Sequence, residues 1–590
     1  MSQDAFRPIP WGQVTIDPGL LRQRADLNRA YMLSLKSENL LQNHYMEAGL
    51  WGPRLQPSGC HWGWESPTCQ LRGHFLGHWL SAAAKRFAAT GDAEIRGKAD
   101  HIVSELARCQ RENGGEWAGS IPQHYLDWIA RGKKVWAPHY TLHKTLMGLW
   151  EMYALAGNEQ ALTVMMNWAR WFHRWTGQFT RAQLDDILDV ETGGMLEVWA
   201  NLYGVTGSRE HRELIDRYDR PRLFDRLLAG EDPLTNMHAN TTIPEVHGAA
   251  RAWEVTGDSR WRRIVEAYWR SAVAERGYYC TGGQTNGEIW SAPGALSARL
   301  GEKTQEHCTV YNMMRLADWL MRWTGDIAYA DYWERNLYNG ILAQQHPDTG
   351  MIAYWLPFQA GSAKQWGTPT DDFWCCHGTL LEAHTVNERG LYFEDDDGLV
   401  VSQFIPSTLR WQRDGATVQV RQSTNPQLGY ARRPDSLAFD LAISSERPID
   451  FTLKIRLPWW LKGEAEIQVD GERHPGPFTP SSLYRIQRIW REARVSVVFP
   501  KGLAASPLPD RPETVAFMDG PVVLAGLCEG ERALHGDRTD PNTLLTPHNE
   551  REWGEWEPGY RTHHQAQNLR FIPVHQVRDE RFAVYFPVVE

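Results

Sequence analysis

The feature that most constrains this chain is a short mark that returns five times. Thr90-Gly91-Asp92, Ala156-Gly157-Asn158, Thr206-Gly207-Ser208, Thr256-Gly257-Asp258 and Thr324-Gly325-Asp326 each close a stretch rich in small and aromatic residues. A second stretch with helical periodicity follows each one. Glycine in the left-handed conformation ends a helix, and Asp, Asn or Ser at the next position caps the helix that follows. Each mark therefore predicts a helical hairpin. The glycines are spaced by 66, 50, 50 and 68 residues. Solenoid repeats of helix pairs are usually shorter, about 34–47 residues. The longer spacing, with long intervening loops, predicts a closed (α/α)6 toroid whose loops gather at one end.

The helical pattern runs from about residue 20 to 390, and then the period changes. Leu391-Tyr392-Phe393, the turn Asp395-Asp396-Asp397-Gly398 and Leu399-Val400-Val401 read as a hairpin. Alternating segments follow at 417–420, 451–455, 465–469 and 495–500, the pattern of a β-sandwich. Pro507, Pro509 and Pro512 read as a linker, with further strands near 515–527 and 582–586. A chain of 590 residues is too long for one core. The predicted class is mainly α: an (α/α)6-barrel catalytic domain over 1–390, then a β-sandwich over 391–502. Residues 503–590 form a second, smaller sandwich or an extension of the first. The polar stretch 530–565 carries no assignable pattern.

Composition narrows the partners. The formal charge of −10, without a dense basic run, gives no footprint for nucleic acid. No apolar run approaches the ~18 residues of a membrane span. Met1 to Ile16 lacks a basic segment followed by an apolar one, so a cytoplasmic location is expected. The 29 tryptophans fill large cores or stack on sugar faces. Eight cysteines, sparse and irregular, argue against a disulfide framework and for a metal or catalytic thiol.

The chemistry concentrates between Gly282 and Cys376. Glu306 and Cys308 stand two apart, so on an extended segment they face one side. The helical stretch after them places Cys308 near a helix N-terminus, which favours thiolate. Cys375-Cys376 completes one carboxylate and three thiols. Soft thiolates select zinc, and four protein ligands normally make a closed, structural site. Spacing alone leaves His307 and His377 as alternative ligands. Glu288 sits in a glycine-rich loop with Gly282, Gly283 and Gly287, a position suited to a general acid and equally to a solvated loop residue. His74/His78 and His139/His143 are i,i+4 pairs that each share a helix face, without the His-Glu-x-x-His pattern of zinc proteases. Together these polar helix starts point to a pocket that reads hydroxyl groups.

The motifs resemble the bacterial β-L-arabinofuranosidases of glycoside hydrolase families 127 and 146. The resemblance rests on Leu71-Arg72-Gly73-His74-Phe75-Leu76-Gly77-His78, Trp136-Ala137-Pro138 with His143-Lys144, and Glu191-Thr192-Gly193-Gly194-Met195. It continues through His238-Ala239-Asn240-Thr241, Gly287-Glu288, Glu306-His307-Cys308 and Phe373-Trp374-Cys375-Cys376. It implies an (α/α)6 barrel followed by β-sandwiches, and a zinc held by Glu306, Cys308, Cys375 and Cys376. It implies a retaining exo-hydrolase in which Cys375 is the nucleophile and Glu288 the acid/base. His143, Glu197, Tyr354 and His238 fall where sugar contacts are expected. The expected partners are an arabinofuranose-containing oligosaccharide or glycoconjugate and a second copy of the chain in a homodimer, with no nucleic acid and no membrane. Two residues depart from the pattern: His307, where Thr or Ser is commoner, and His377, where a small or apolar residue is expected. Two competing readings are a non-catalytic carbohydrate-binding protein with structural zinc, and another (α/α)6 sugar enzyme of the unsaturated glucuronyl hydrolase or epimerase type.

Overall fold

The computed structural model describes residues 4–50, 59–424, 435–548 and 559–589. Twelve helices build two layers. Those of the outer layer are α1 (Leu20–Ser34), α3 (Ala93–Glu112), α5 (Glu159–Thr176), α7 (Arg209–Arg217), α9 (Ser259–Trp269) and α11 (Ala328–Asn336). The inner ones are α2 (His74–Thr90), α4 (Pro138–Ala156), α6 (Met195–Thr206), α8 (Ala239–Thr256), α10 (His307–Thr324) and α12 (Cys375–Ala383). Each inner helix packs on the next, and α12 returns to α2, so the ring is closed. The outer helices α3, α5, α7, α9 and α11 each cover the inner helix before them. α1 lies outside α12, where Asn28 Nδ2 donates to the Leu381 carbonyl at 3.0 Å. This is the (α/α)6 barrel.

The recurring marks do what their chemistry requires. Gly91, Gly157, Gly207, Gly257 and Gly325 are all left-handed, with φ from 60° to 72°. Asp92, Asn158, Ser208 and Asp258 accept from backbone N–H groups in the first turn of the next helix, and Asp326 accepts from Ala328 N–H at 2.9 Å. The inner ring is tight where α2 crosses α4. A Cβ on Gly77 would lie 2.0 Å from the Lys144 carbonyl, so only glycine fits. The barrel core is aromatic: Trp79, Trp117, Trp168 and Trp199 are essentially fully buried in it.

Two antiparallel-rich sheets follow. In the first, Ser436–Leu457 and Ser482–Pro500 pair along nearly their whole length. Ser436–Leu457 is long enough to take two neighbours on its other edge, Ala416–Thr424 and then Gly398–Val401. Alternation is clean in Ser407–Arg413 and Ala416–Thr424, whose buried side chains face the sheet's own core. A boundary at 390 leaves the chain start with the helices, but Arg7–Pro8 and Val14–Ile16 pair with Tyr392–Glu394 and Ser407–Arg413. The second sheet spans 503–589. Pro507 and Pro512, which look like linker residues in sequence, lie in the paired strands Leu503–Leu508 and Arg511–Asp519. Leu503–Leu508 is an edge strand, where a missing N–H is tolerated. Of the unassigned stretch 530–565, residues 549–558 lie outside the described residues.

Buried polar contacts pin the sheets to the barrel. Arg456, fully buried, pairs with Asp331 at 2.5 Å and Glu334 at 2.8 Å on α11. Asn339 donates to the Pro521 carbonyl and accepts from Val523 N–H, both at 2.8 Å. Among the described residues no helix is long and apolar enough to cross a membrane.

Candidate active site

All six inner helices begin at the same mouth of the barrel, with His74, Pro138, Met195, Ala239, His307 and Cys375 as first residues. Their dipoles aim positive ends at one place, which favours anionic groups there. The cavity at this mouth has a volume of about 170 Å³. Backbone strain gathers around it. Of the nine described non-glycine residues with positive φ, five (Ala137, Asn236, Glu288, Gln305 and Phe373) lie at or within two residues of a cavity-lining side chain. Strain of this kind persists only where the surroundings over-determine it, and it marks functional sites.

Glu306, Cys308, Cys375 and Cys376 come together here, with all four donor atoms within 4.8 Å of one another. Glu306 is the extended residue just before α10, and Cys308 lies in that helix's first turn. The shared extended face expected from sequence therefore holds for Glu306 only. Cys375 and Cys376 open α12. The Cys308 and Cys376 sulfurs are 3.3 Å apart, and those of Cys375 and Cys376 3.9 Å. Glu306 Oε1 lies 3.8 Å from Cys375 Sγ and 3.9 Å from Cys376 Sγ. Donors around a tetrahedral zinc, at about 2.0–2.3 Å from the ion, stand about 3.3–3.8 Å from one another, so the spacing suits such an ion. Glu306 Oε2 is held by Asn240 Nδ2 at 2.5 Å and Thr309 Oγ1 at 3.0 Å, which leaves Oε1 to the thiols.

Electrostatics point the same way. Burial pushes the Glu306 carboxyl and the Cys308 and Cys376 thiols well above their ordinary values. Burial also opposes ionisation of Cys375, but its hydrogen-bond contacts with Cys308, Cys376 and Tyr354 hold it well below its ordinary value. Four acids this close in a dry site ionise together only around a cation. Cys308, Cys375 and Cys376 are free thiols. Cys375 is the half-exposed member, while the other three ligand candidates are buried.

Glu288 faces this cluster from a two-residue hairpin. Thr285–Asn286 pairs with Ile289–Trp290, and Gly287 and Glu288 form the turn with φ of 57° and 68°. Two positive φ values define the primed turn that suits a hairpin's twist. Glycine takes the first at little cost, and Glu288 takes the second under strain. The Tyr354 hydroxyl donates to Glu288 Oε1 and stands 3.5 Å from Cys375 Sγ. His238 caps α8, its Nδ1 accepting from Thr241 N–H at 3.2 Å. That places its ring proton on Nε2, 3.5 Å from Glu288 Oε2. Burial presses the His238 pKa down, but the Glu288 contact and the charge of Glu191 outweigh it, and the pKa ends raised.

His238, Tyr354, Glu288, Glu306, Cys308 and Cys375 line the cavity. Of the sugar contacts expected from sequence, two are set back. The His143 ring is buried behind Gly193 and Gly194, and Glu197 is bound to Arg315 at 2.6 Å. The alternative ligands are engaged elsewhere: His307 Nδ1 with Thr379 Oγ1 at 2.9 Å, and His377 Nε2 with the Thr368 carbonyl at 3.2 Å. Sequence reasoning missed Glu191 and Lys144 as lining residues. Burial raises the Glu191 carboxyl and lowers the Lys144 ammonium, and Lys144 sits 5.1 Å over the Tyr140 ring. Both residues belong to quoted motifs, but no spacing rule marks either one as facing inward.

The chain matches the model of the β-L-arabinofuranosidase GH127 catalytic domain over residues 13–388, and that of the GH127 middle domain over 398–501. The barrel and its site are those of a glycoside hydrolase. Within that class the chain belongs to family 127. It is 25% identical over 525 residues to the non-reducing end β-L-arabinofuranosidase of Bifidobacterium longum subsp. longum, covering 75% of this chain and 74% of that protein. The structure of a GH127 β-L-arabinofuranosidase from Geobacillus stearothermophilus T6 superposes with a TM-score of 0.72 at 18% identity, covering 98% of this chain and 100% of that one. A second GH127 β-arabinofuranosidase superposes with a TM-score of 0.74 at 17% identity, covering 100% and 99%. At these identities the two structures are alike in fold.

Proposed function

We propose that this protein is a retaining, exo-acting hydrolase that releases β-L-arabinofuranose, or a closely related sugar, from an oligosaccharide or glycoconjugate. One observation carries the reading: Cys375 Sγ and Glu288 Oε1 meet at a single hydroxyl, that of Tyr354. Nucleophile and acid/base thus stand within reach of one sugar ring. In the first step Cys375 thiolate attacks the anomeric carbon. The C–S bond forms as the C–O bond breaks, and Glu288 gives its proton to the departing oxygen. In the second step Glu288, now a carboxylate, takes a proton from water. The water oxygen attacks the anomeric carbon, the C–S bond breaks, and sulfur leaves as thiolate. Two inversions restore the starting configuration.

Glu306, Cys308 and Cys376 would hold a zinc ion from the buried side, with Cys375 as the fourth ligand. When bound, zinc supplies the charge that keeps coordinating sulfurs deprotonated at neutral pH. Four protein ligands are also the count of a purely structural site. What favours the catalytic reading is that, of the candidate ligands around the cavity, Cys375 alone is half-exposed, while Glu306, Cys308 and Cys376 are buried.

The test is chemical. Cys375→Ser should fold and lose nearly all turnover, and an activated arabinofuranoside should label Cys375 covalently in the wild type, read by peptide mass spectrometry. Near-normal turnover of the serine variant would sink the nucleophile assignment. Glu288→Ala should lose most on substrates with poor leaving groups, and a uniform loss would remove its acid role.

A further inference from the structure

The rim of the cavity carries a feature that the hydrolytic steps do not use. Trp136, just ahead of α4, is 47% exposed and lines the cavity mouth. The backbone holds it in place. Its N–H donates to Gln70 Oε1 at 2.7 Å. The next residue, Ala137, is buried with φ of 43°, and Pro138 then starts the helix. A strained, buried alanine beneath an exposed indole is the reverse of what stability alone selects. Trp64 meets Trp136 at 4.9 Å between ring centroids with their planes at 73°, so the two indoles form a corner. Trp64 in turn packs against Tyr354 at 6.5 Å, and Tyr354 holds Glu288. A continuous aromatic wall therefore runs from the proposed acid/base to the rim.

The leaving group sits on the side of the group that protonates its oxygen. We infer that Trp136 and Trp64 form a subsite for the leaving-group sugar. A neutral sugar ring lays its apolar C–H face on the Trp136 indole and sets its edge against Trp64. The inference rests on the hydrolase reading above, and it extends that reading from the released sugar to the one it is cut from. An unattached arabinoside with a small leaving group would leave the corner empty.

The experiment compares two substrates across wild type, Trp136→Ala and Trp136→Phe. Methyl β-L-arabinofuranoside has no ring in its leaving group, and a β-L-arabinofuranosyl disaccharide has one. The ratio of kcat/KM for the disaccharide to that for the methyl glycoside should fall about tenfold in the alanine variant, the size of one aromatic contact. Phenylalanine should recover most of it. An unchanged ratio overturns the subsite. If wild type cleaves neither compound, the activity reading fails by itself, and saturation-transfer NMR with the disaccharide judges the subsite. Transfer to the reducing-end ring should be strong in wild type and weak in Trp136→Ala. Equal transfer, or none in wild type, overturns the inference.

Discussion

Replacing Tyr354 with phenylalanine removes one oxygen and little else. That oxygen donates to Glu288 Oε1 and stands 3.5 Å from Cys375 Sγ. The ring stays packed between Trp355 and Trp374, so the fold should survive. Burial, with the thiols and carboxyls around it, holds the Tyr354 phenol well above its ordinary value. The hydroxyl therefore keeps its proton over the whole working range and acts as a fixed donor. A hydrogen bond to a charged group contributes about 1.5–3 kcal/mol. At 1.36 kcal/mol per tenfold, Tyr354→Phe should lower kcat/KM by about 10- to 150-fold. Because the hydroxyl touches both Cys375 and Glu288, kcat should fall with it. The assay is steady-state hydrolysis of a nitrophenyl arabinofuranoside at several pH values. A loss should persist at both the acid and alkaline ends, since the donor itself does not titrate between them. A variant within twofold of wild type, or a loss that vanishes at one end of the range, would refute the bridging role.

The remaining predictions concern stability and the metal. Burial pushes His44, His74, His139, His307 and His575 down to about 3, and His61 and His377 to about 4. The unfolded chain binds protons at these positions and the folded chain does not. Their contribution is thus full above the ordinary value of 6.5 and is lost as pH falls toward the folded values. Each imidazole removes about 1.4 kcal/mol per pH unit over that window. Urea midpoints should fall steeply on acidification below about pH 6.5, and a flat profile would contradict the burial of these rings. Purified protein should carry about one zinc per chain. Cys308→Ser with Cys376→Ser should lose that zinc and melt at a lower temperature, whereas full zinc content in the double variant, by elemental analysis, would rule out the ligand set. Gly77→Ala places a Cβ 2.0 Å from the Lys144 carbonyl and must part α2 from α4. The expected cost is about 1–3 kcal/mol, read as a lower urea midpoint, and no change would mean that the helices are not held that close.

Much of the barrel was legible in the sequence because its signals are local. A left-handed glycine followed by a capping side chain, as at Gly257-Asp258, needs no partner from elsewhere in the chain. The period change near residue 390 is likewise a local property of the backbone. The clustered residue types of Glu306, Cys308, Cys375 and Cys376 could be read as a ligand set, since few other roles suit three thiols and a carboxylate. Pro507 misled, because an edge strand tolerates what a central one does not, and edge position is a fact of pairing rather than of composition.

What only the tertiary structure decided is which side chains of the inner helices face the cavity. His143 and Tyr140 share α4, yet Tyr140 lines the cavity and His143 is sealed behind Gly193 and Gly194. Glu191 and Lys144 turn inward with no periodic mark to say so. The meeting of Glu288 and Cys375 at the Tyr354 hydroxyl depends on a hairpin, a loop and a helix start brought together by closure of the ring. Sequence by itself determined the hairpins, the change to strands and the donor types. The direction of each donor was decided when α12 packed back onto α2, because closing the ring sets every inner helix's rotation at once, and no single segment carries that rotation in its own residues.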